Sequence, residues 1–475
     1  MMNRILILTV GLALLLCGCP KRQAYEQPAP PVPAAWPEPA AGAAVTGTGA
    51  PAAAELGWRE FFTDPKLQSV IGRALEHNRD LRIAALNVDK VQALYRIQRA
   101  AQYPTVSAAA AIDAYRVPKN LSGADESEIV AQYTLSLGAT AWEIDFFGRI
   151  RSLKEQALEQ YLATEQARSA TQISLVAAVA ASYLRLAADQ ENLRLAKATL
   201  DAQQKAYELI RSSRDFGIAS DLDVHEAQSL VEAARVDIAR YNGLIALDRN
   251  ALDLVVGAPV PPDELPTELD AVADFRELAA GLPSDVLLRR PDIRAAEHQL
   301  RGAYANIEAA RAAFFPRITL TAGVGLTSSD LADLFKFGSR SWNFVPQAVL
   351  PIFDWGTRQA NYQVSQADRD IAVATYESAI QSAFREVSDA LSLRATLVEQ
   401  QAAQEALVHT LEATCRLAEA RYNAGIDGYL NVLVAQRALY NAQQGLVSVR
   451  LARRANLVAT YKALGGGLEP GPSTP

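Results

Sequence analysis

The chain has almost no cysteine. Only Cys17, Cys19 and Cys415 carry a thiol among 475 residues, so a disulfide framework is excluded as the source of stability. Histidine is nearly as scarce. His77, His225, His298 and His409 stand singly on helical patterns, without the spacing that holds zinc. No phosphate loop or nucleophile elbow is present, so no metal, cofactor or catalytic group is indicated and the chain reads as a non-enzyme. There is no block of Lys and Arg to neutralise phosphates, and the formal charge is -7, which argues against a nucleic-acid partner. Aromatics make up only 7% of a chain that is 50% hydrophobic. Ala fills the difference, favouring long helices in close contact over a compact aromatic core.

What is present starts with "MMNRILILTVGLALLLCGC", one early positive charge followed by an apolar run from Ile5 to Leu16. That is a secretory signal, too short to be a spanning helix. Its end, Leu16-Cys17-Gly18-Cys19, resembles the bacterial lipoprotein processing box. Cleavage after residue 18 fits best, because Gly18 is the small residue before the cut whereas Cys17 would follow bulky Leu16. Cys19 is then the acylated residue, carrying lipid such as palmitate; the alternative is an ordinary signal peptide that ends in Cys. Cys415 alone remains, and on a helical pattern it reads as a small core residue. Residues 19–57 are rich in Pro and Ala and read as a lipidated tether without a core.

The chain also repeats itself. "SRDFGIASDLDV" from Ser213 and "RYNAGIDGYLNV" from Arg421 align Gly217 with Gly425, Ile218 with Ile426, and the Ala-Gln pair 227/228 with 435/436, all 208 positions apart. "NRDLRIAA" from Asn78 matches "RPDIRAAE" from Arg290, and "AAQYPTVS" from Ala100 matches "AAFFPRIT" from Ala312, at an offset of 212. Two homologous halves follow, 58–257 and 284–465, joined by a linker over 258–283 and closed by a tail over 466–475. In each half 68 residues, 149–216 and 357–424, contain no Gly or Pro. A helix of that length spans roughly 100 Å and must have neighbours. Ile173, Val176, Ala180, Leu184 and Ala187 follow coiled-coil spacing. Shorter helical patterns lie at about 66–103, 223–256, 284–315 and 428–464.

The remaining segments have period two. Ile318, Leu320, Ala322, Val324 and Leu326 alternate with Thr319, Thr321, Gly323, Gly325 and Thr327. Tyr133, Leu135, Leu137, Ala139 and Ala141 alternate with small or polar residues in the same way. Strands are predicted at about 104–117, 130–146, 316–327 and 342–353. One apolar and one small polar face is the pattern of a membrane strand with lipid on one side and water on the other; a soluble sandwich strand is the competing reading. Four strands cannot close a membrane barrel, and open edges do not survive in lipid, so several copies must share one.

"LGWREFFTDPKLQSVIGRALEHNRDLRIAA" from Leu56, "WEIDFFGRIR" from Trp142, "LPSDVLLRRPDIRAAE" from Leu282, "FFPRITLTAGVG" from Phe314, "LPIFDWGTRQA" from Leu350 and the paired turns together resemble the TolC-like outer-membrane efflux channel family. The likeness is to its lipoprotein (NodT/OprM-like) branch and covers nearly the whole mature chain. It implies a mainly α fold with a membrane β part: a long coiled-coil barrel of helices continued by a shared 12-stranded β-barrel in a homotrimer. It also implies an outer-membrane exit duct for drugs and other small molecules. An inner-membrane RND-type transporter would drive it through a periplasmic adaptor (membrane fusion) protein, without a cofactor. Gly217, Ile218, Gly425 and Ile426 would form the periplasmic tips that dock the adaptor. By the same resemblance Asp223 and Tyr422 match positions that hold the duct closed, with Asp221, Asp427 and Arg214 near enough in sequence to join them.

Two departures stand out. Asn431 and Val434 occupy positions where many relatives carry a lumenal acidic ring, and Asp223 and Glu226 are their equivalents in the first half. Asp427 stands where some relatives have a basic residue, so repulsion is expected in place of a cross-link. A type I protein secretion duct is the alternative within the channel class. A periplasmic scaffold without a pore is disfavoured by the four alternating segments.

Overall fold

The computed structural model describes residues 25–34, 36, 56–122, 126–276 and 284–468; the signal peptide and Cys19 lie outside them. The element order is α1 (Trp58–Phe61), α2 (Pro65–His77), α3 (Arg79–Ala100), β1 (Val106–Val117), β2 (Glu128–Glu143), α4 (Arg149–Asp215), α5 (Asp221–Val256), α6 (Pro291–Ala312), β3 (Arg317–Ser328), β4 (Arg340–Val349), α7 (Thr357–Asn423) and α8 (Tyr429–Ala463). Two compact units are present. One takes in Asp89–Ala163 and Ala296–Tyr376 with the N-terminal segment to Ala29, the other Pro30–Val88, Thr164–Ala295 and the chain from Glu377.

In the first unit the four strands form one antiparallel sheet in the order β1-β2-β3-β4. The pairing aligns the apolar residues: Ala110 faces Leu135 and Leu135 faces Leu326, while Val324 faces Trp342 and Ala322 faces Phe344. Ser136 against Gly325 and Thr134 against Thr327 place the small and polar residues on the other face. Antiparallel partners share a face, so one side of the sheet is apolar across all four strands. Glycine is required at position 138, where a Cβ would come within 2.4 Å of the Ala322 carbonyl oxygen. The outer edges of β1 and β4 have no partner strand among the described residues.

One expectation about β2 is corrected. Strict alternation would put Ala141 on the apolar face, but the register shifts between Ala139 and Trp142, and Trp142 faces Leu320 instead. Ala141 takes a left-handed conformation (φ 53°) and donates its N–H to Thr321 Oγ1 at 3.0 Å. This is a β-bulge, invisible to a period-two count. β2 ends at Glu143 rather than 146, because Asp145 turns to accept from the Arg151 N–H at the start of α4. β4 ends at Val349 rather than 353: Pro351 cannot donate to a ladder, and Asp354 caps α7 by accepting from the Arg358 N–H.

In the second unit Leu56, Trp58, Phe61, Phe62, Leu67, Val70, Ile71, Ala74 and Tyr461 are buried. Phe61 stacks on Tyr461 with centroids 3.9 Å apart, and the Tyr461 hydroxyl donates to the Leu56 carbonyl at 2.6 Å. The apolar middle of α4, from Ile173 to Ala188, is buried among other helices at Val176, Val179, Ala180, Tyr183, Leu184, Leu186 and Ala187.

The single helix expected over 66–103 is broken at Asn78, and the one over 284–315 begins only at Pro291, after a 3-10 turn from Ser284 to Arg289. The breaks are equivalent positions and do equivalent work. Asn78 accepts from the Leu81 N–H at 2.8 Å to cap α3, and its Nδ2 donates to the Val255 carbonyl at 2.7 Å. Arg290 donates through Nη1 to the Ala463 carbonyl at 2.8 Å. Val255 and Ala463 are 208 apart, so in each half the break ties the start of one helix to the end of the last. Gly257 and Gly465 follow with φ 81° each, reversing the chain where a side chain is disfavoured.

Residues of the expected tether also dock. Within the first unit Tyr25 donates to Glu297 at 3.1 Å beneath the Arg301 guanidinium, and Gln27 donates to Tyr376 at 3.0 Å. In the second, Trp36 stacks on Phe384 at 4.8 Å. Pro-rich chain is thus laid on helices by its few aromatic and polar side chains.

Arg290 is 7% exposed. Burial alone would raise the Asp292 carboxyl; the Arg290 guanidinium, bonded to it at 3.0 and 2.6 Å, overrides this and holds it below the ordinary range. Arg290→Leu also frees Glu386 and the Ala463 carbonyl. Both carboxylates are near half exposed, so the cost falls at the low end for a buried pair, about 3 kcal/mol. Asn78→Ala is expected to cost about 1–2 kcal/mol. Denaturant unfolding followed by circular dichroism checks the order.

Candidate functional site: the paired helical turns

Each long helix ends in the same way. Gly217, with φ 77°, donates its N–H to the Arg214 carbonyl at 2.8 Å, and Ile218 donates to Ser213 at 2.9 Å. Gly425, with φ 69°, donates to Tyr422 at 2.9 Å, and Ile426 to Arg421 at 3.0 Å. This is the Schellman arrangement, in which the residue after Gly commonly packs back on its own helix. Here it does not: Ile218 is 80% exposed and Ile426 63%. Phe216, Leu222 and Leu430 are exposed beside them. Both turns therefore present apolar side chains outward.

The backbone is repeated but the chemistry across each turn is not. Arg214 and Asp221 form an ion pair at 3.7 Å over the first turn. Their equivalents in the second are Tyr422 and Tyr429, whose rings lie 5.2 Å apart. After the first turn Ser220 and Asp223 form a capping box: Asp223 Oδ2 accepts from the Ser220 N–H at 2.8 Å and hydroxyl at 2.7 Å, and Ser220 Oγ accepts from the Asp223 N–H at 3.2 Å. The second turn has Gly428 at that cap, with no side chain to offer. It is braced by Arg421, which donates to Asp427 through Nε at 2.5 Å and Nη2 at 3.0 Å.

The repulsion expected of Asp427 is therefore corrected, since its charge is matched within its own turn. The hydrogen bond from Arg421 is the main reason its carboxyl lies below the ordinary range. The pair is thus kept down to acidic pH and lost only as pH falls through that lowered value. Asp223 and Tyr422 are close without a direct hydrogen bond: burial, then the Asp223 charge, raises the Tyr422 hydroxyl, while Asp223 serves the cap. Asn431 and Val434 are exposed on α8, on the side away from buried Val432, Leu433 and Ala435.

The two turns share one core, built from Ile210, Val224, Ala227, Tyr429, Val432 and Leu433. A polar link lies alongside, Gln203 donating to Gln436 and Gln436 to Glu419, each at 3.0 Å. Sequence reasoning missed Arg421, Glu419, Gln203 and Tyr429. Two signals were available: Gln436 belongs to the repeated Ala-Gln pair, and the offset of 208 sets Tyr429 opposite Asp221. Cys415 is buried, and its thiol donates toward Glu419 at 3.6 Å; burial and that acid push it up to about 11, which makes it unreactive. Among the described residues no group of three His, Cys, Asp or Glu could hold a metal.

A twice-repeated helical hairpin with a four-stranded membrane-type sheet defines a channel protein of the outer membrane. The chain belongs to the outer membrane efflux protein family, which matches residues 70–258 and 282–466. It is 49% identical over 469 residues to the toluene efflux pump outer membrane protein TtgC of Pseudomonas putida, covering 98% of this chain and 96% of that one. It is 41% identical to the outer membrane protein OprJ of Pseudomonas aeruginosa, covering 97% and 96%. Among solved structures it is similar to the open state of the Neisseria gonorrhoeae MtrE outer membrane channel. That match has a TM-score of 0.85 and 39% identity, and covers 95% of this chain and 99% of that one. The fold is TolC-like and the chain is an outer-membrane efflux channel protein.

Tyr429 is 5% exposed and its hydroxyl has no partner among the described residues. Tyr429→Phe is therefore expected to leave thermal stability unchanged or raised. Ser220→Ala, which opens the capping box, is expected to cost about 1 kcal/mol and to speed amide exchange in the first turn of α5.

Proposed function

We propose that three copies of the chain share one twelve-stranded barrel, forming a passive exit duct of a tripartite efflux system, and that the paired turns are its periplasmic gate. The observation that carries this is the sheet: one face apolar through four strands, the other mostly small and polar, with both edges unpaired among the described residues. Such a sheet is stable in lipid only when further copies satisfy its edges. Helices of 67 residues, α4 and α7, each reach about 100 Å and continue the duct as a coiled-coil barrel.

In this reading six turns ring the duct's inner end. Exposed Ile218 and Ile426, beside Gly217 and Gly425, dock a periplasmic adaptor, which joins the duct to an inner-membrane RND-type transporter. Asp223, Tyr422, Asp221, Asp427 and Arg214, with Arg421, hold the turns together in the closed state. Cargo is small and largely apolar, like the toluene, solvents and antibiotics for which its relatives are named. Selection rests with the transporter, because a wide polar lumen has few groups to bind with, and the duct catalyses nothing. Acyl chains on Cys19 add a lipid anchor to the barrel.

Planar-bilayer conductance of the full lipidated protein tests the gate. The double variant Arg421→Ala with Tyr422→Ala is expected to raise the time-averaged conductance several-fold over the wild-type level. An unchanged closed level would remove these turns from the gate.

A further inference from the structure

The two unpaired edges of the sheet fit one another in a particular way. β1 and β4 run in opposite directions, so the β4 edge of one copy meets the β1 edge of the next as an antiparallel pair. β1 has twelve residues and β4 ten. Two positions are spare, so three registers pair every residue of β4 within β1. Side chains alternate between faces along each strand, and only the middle register sets apolar face beside apolar face. It runs from Arg340 opposite Arg116 to Val349 opposite Ser107. In it Trp342 meets Ala114 and Phe344 meets Ile112 on the apolar side, while the Asn343 amide meets the Asp113 carboxylate on the other.

The same register brings two cations together. Arg116 faces Ile129 and Arg340 faces Leu326 within the sheet, so both arginines lie on its apolar face. Both stand at the loop end of the sheet, away from the helices, next to last in β1 and first in β4. Residues directly opposed in an antiparallel pair hold their Cβ atoms about 5 Å apart, and like charges so placed repel. Among the described residues neither arginine has a carboxylate partner: Arg116 Nη2 donates to Ser127 Oγ at 2.7 Å, and the Arg340 guanidinium lies 4.2 Å from the Phe337 ring centre. An open hollow of about 750 Å³, walled by Arg116, Pro118, Lys119, Glu126 and Ser127, leaves room for a ligand. Beside the arginines Trp342 and Phe337 are each 79% exposed and Ile129 74%.

We propose that each seam of the shared barrel binds the headgroup of a phosphomonoester lipid between Arg340 of one copy and Arg116 of the next. A phosphomonoester carries close to two negative charges and three acceptor oxygens at neutral pH, which matches two guanidinium forks and removes their repulsion. Trp342, Phe337 and Ile129 lie where the headgroup joins its chains, the level at which aromatic side chains gather on membrane barrels. A soluble anion would meet the charge and leave that apolar surface bare, so the occupant is a lipid. The site rests on the shared-barrel reading, since one copy supplies only half of it.

Native mass spectrometry of the intact protein, released from micelles that contain phosphatidic acid and phosphatidylcholine in equal amounts, tests this. A trimer that retains phosphatidic acid several-fold over phosphatidylcholine, up to one per seam, is the expected result. Arg116→Gln and Arg340→Gln, both at exposed positions, should each abolish the preference while the trimer mass persists. Excess inorganic phosphate should not displace the lipid. Cysteine pairs test the register separately: Ala108→Cys with Ala348→Cys on one face, and Ser107→Cys with Val349→Cys on the other. β1 and β4 are not neighbours within a chain, so an oxidised link in either pair joins two copies. A trimer with no preference for phosphatidic acid, a preference that survives both Gln variants, displacement by inorganic phosphate, or a trimer that neither Cys pair can link overturns the proposal. A monomer overturns the exit-duct reading as well, and the mass in the same spectrum tells the two failures apart.

Discussion

A strand edge in lipid must be paired, and the rest of this molecule depends on that requirement. Water cannot rescue an unpaired N–H or carbonyl in the bilayer core, and a four-stranded sheet leaves two such edges. The chain contains four membrane-type strands because it contains one helical hairpin-and-strand unit twice. Neither half can close alone, and the two together still cannot. Closure by further copies satisfies those edges. The open sheet is the direct expression of that constraint.

Duplication fixes backbone and leaves chemistry free. Gly217 and Gly425 make the same turn with the same two hydrogen bonds. Across it stand an exposed ion pair in one half, Arg214 with Asp221, and an aromatic pair in the other, Tyr422 with Tyr429. Exposed ion pairs are worth little and exchange readily with water, whereas Tyr429 is locked in the core shared with Ile210 and Val224. The two hairpins are thus alike in geometry and unlike in what holds them.

Much of the fold was legible in the sequence. Long stretches without Gly or Pro predict α4 and α7, and period-two alternation predicts the sheet with its apolar face, because both patterns report directly which side of an element is buried or meets lipid. The misses have local causes. Ala141 sits in a bulge whose extra residue carries no compositional mark. Asn78 breaks a continuous helical pattern because its side chain has a better use in capping α3 and holding Val255. Tyr25, Gln27 and Trp36 dock where Pro-rich composition suggests only a tether. At the turns the glycines were legible and the partners were not: Asp427 reads as an unmatched charge until the turn brings Arg421 back to it.

The most direct measurement is the native mass of the detergent-purified mature protein. A single species at three times the chain mass, resistant to dilution, is the result expected if three copies complete one barrel. A monomer stably folded in detergent and in lipid bilayers, with its sheet edges unpaired, would contradict the account.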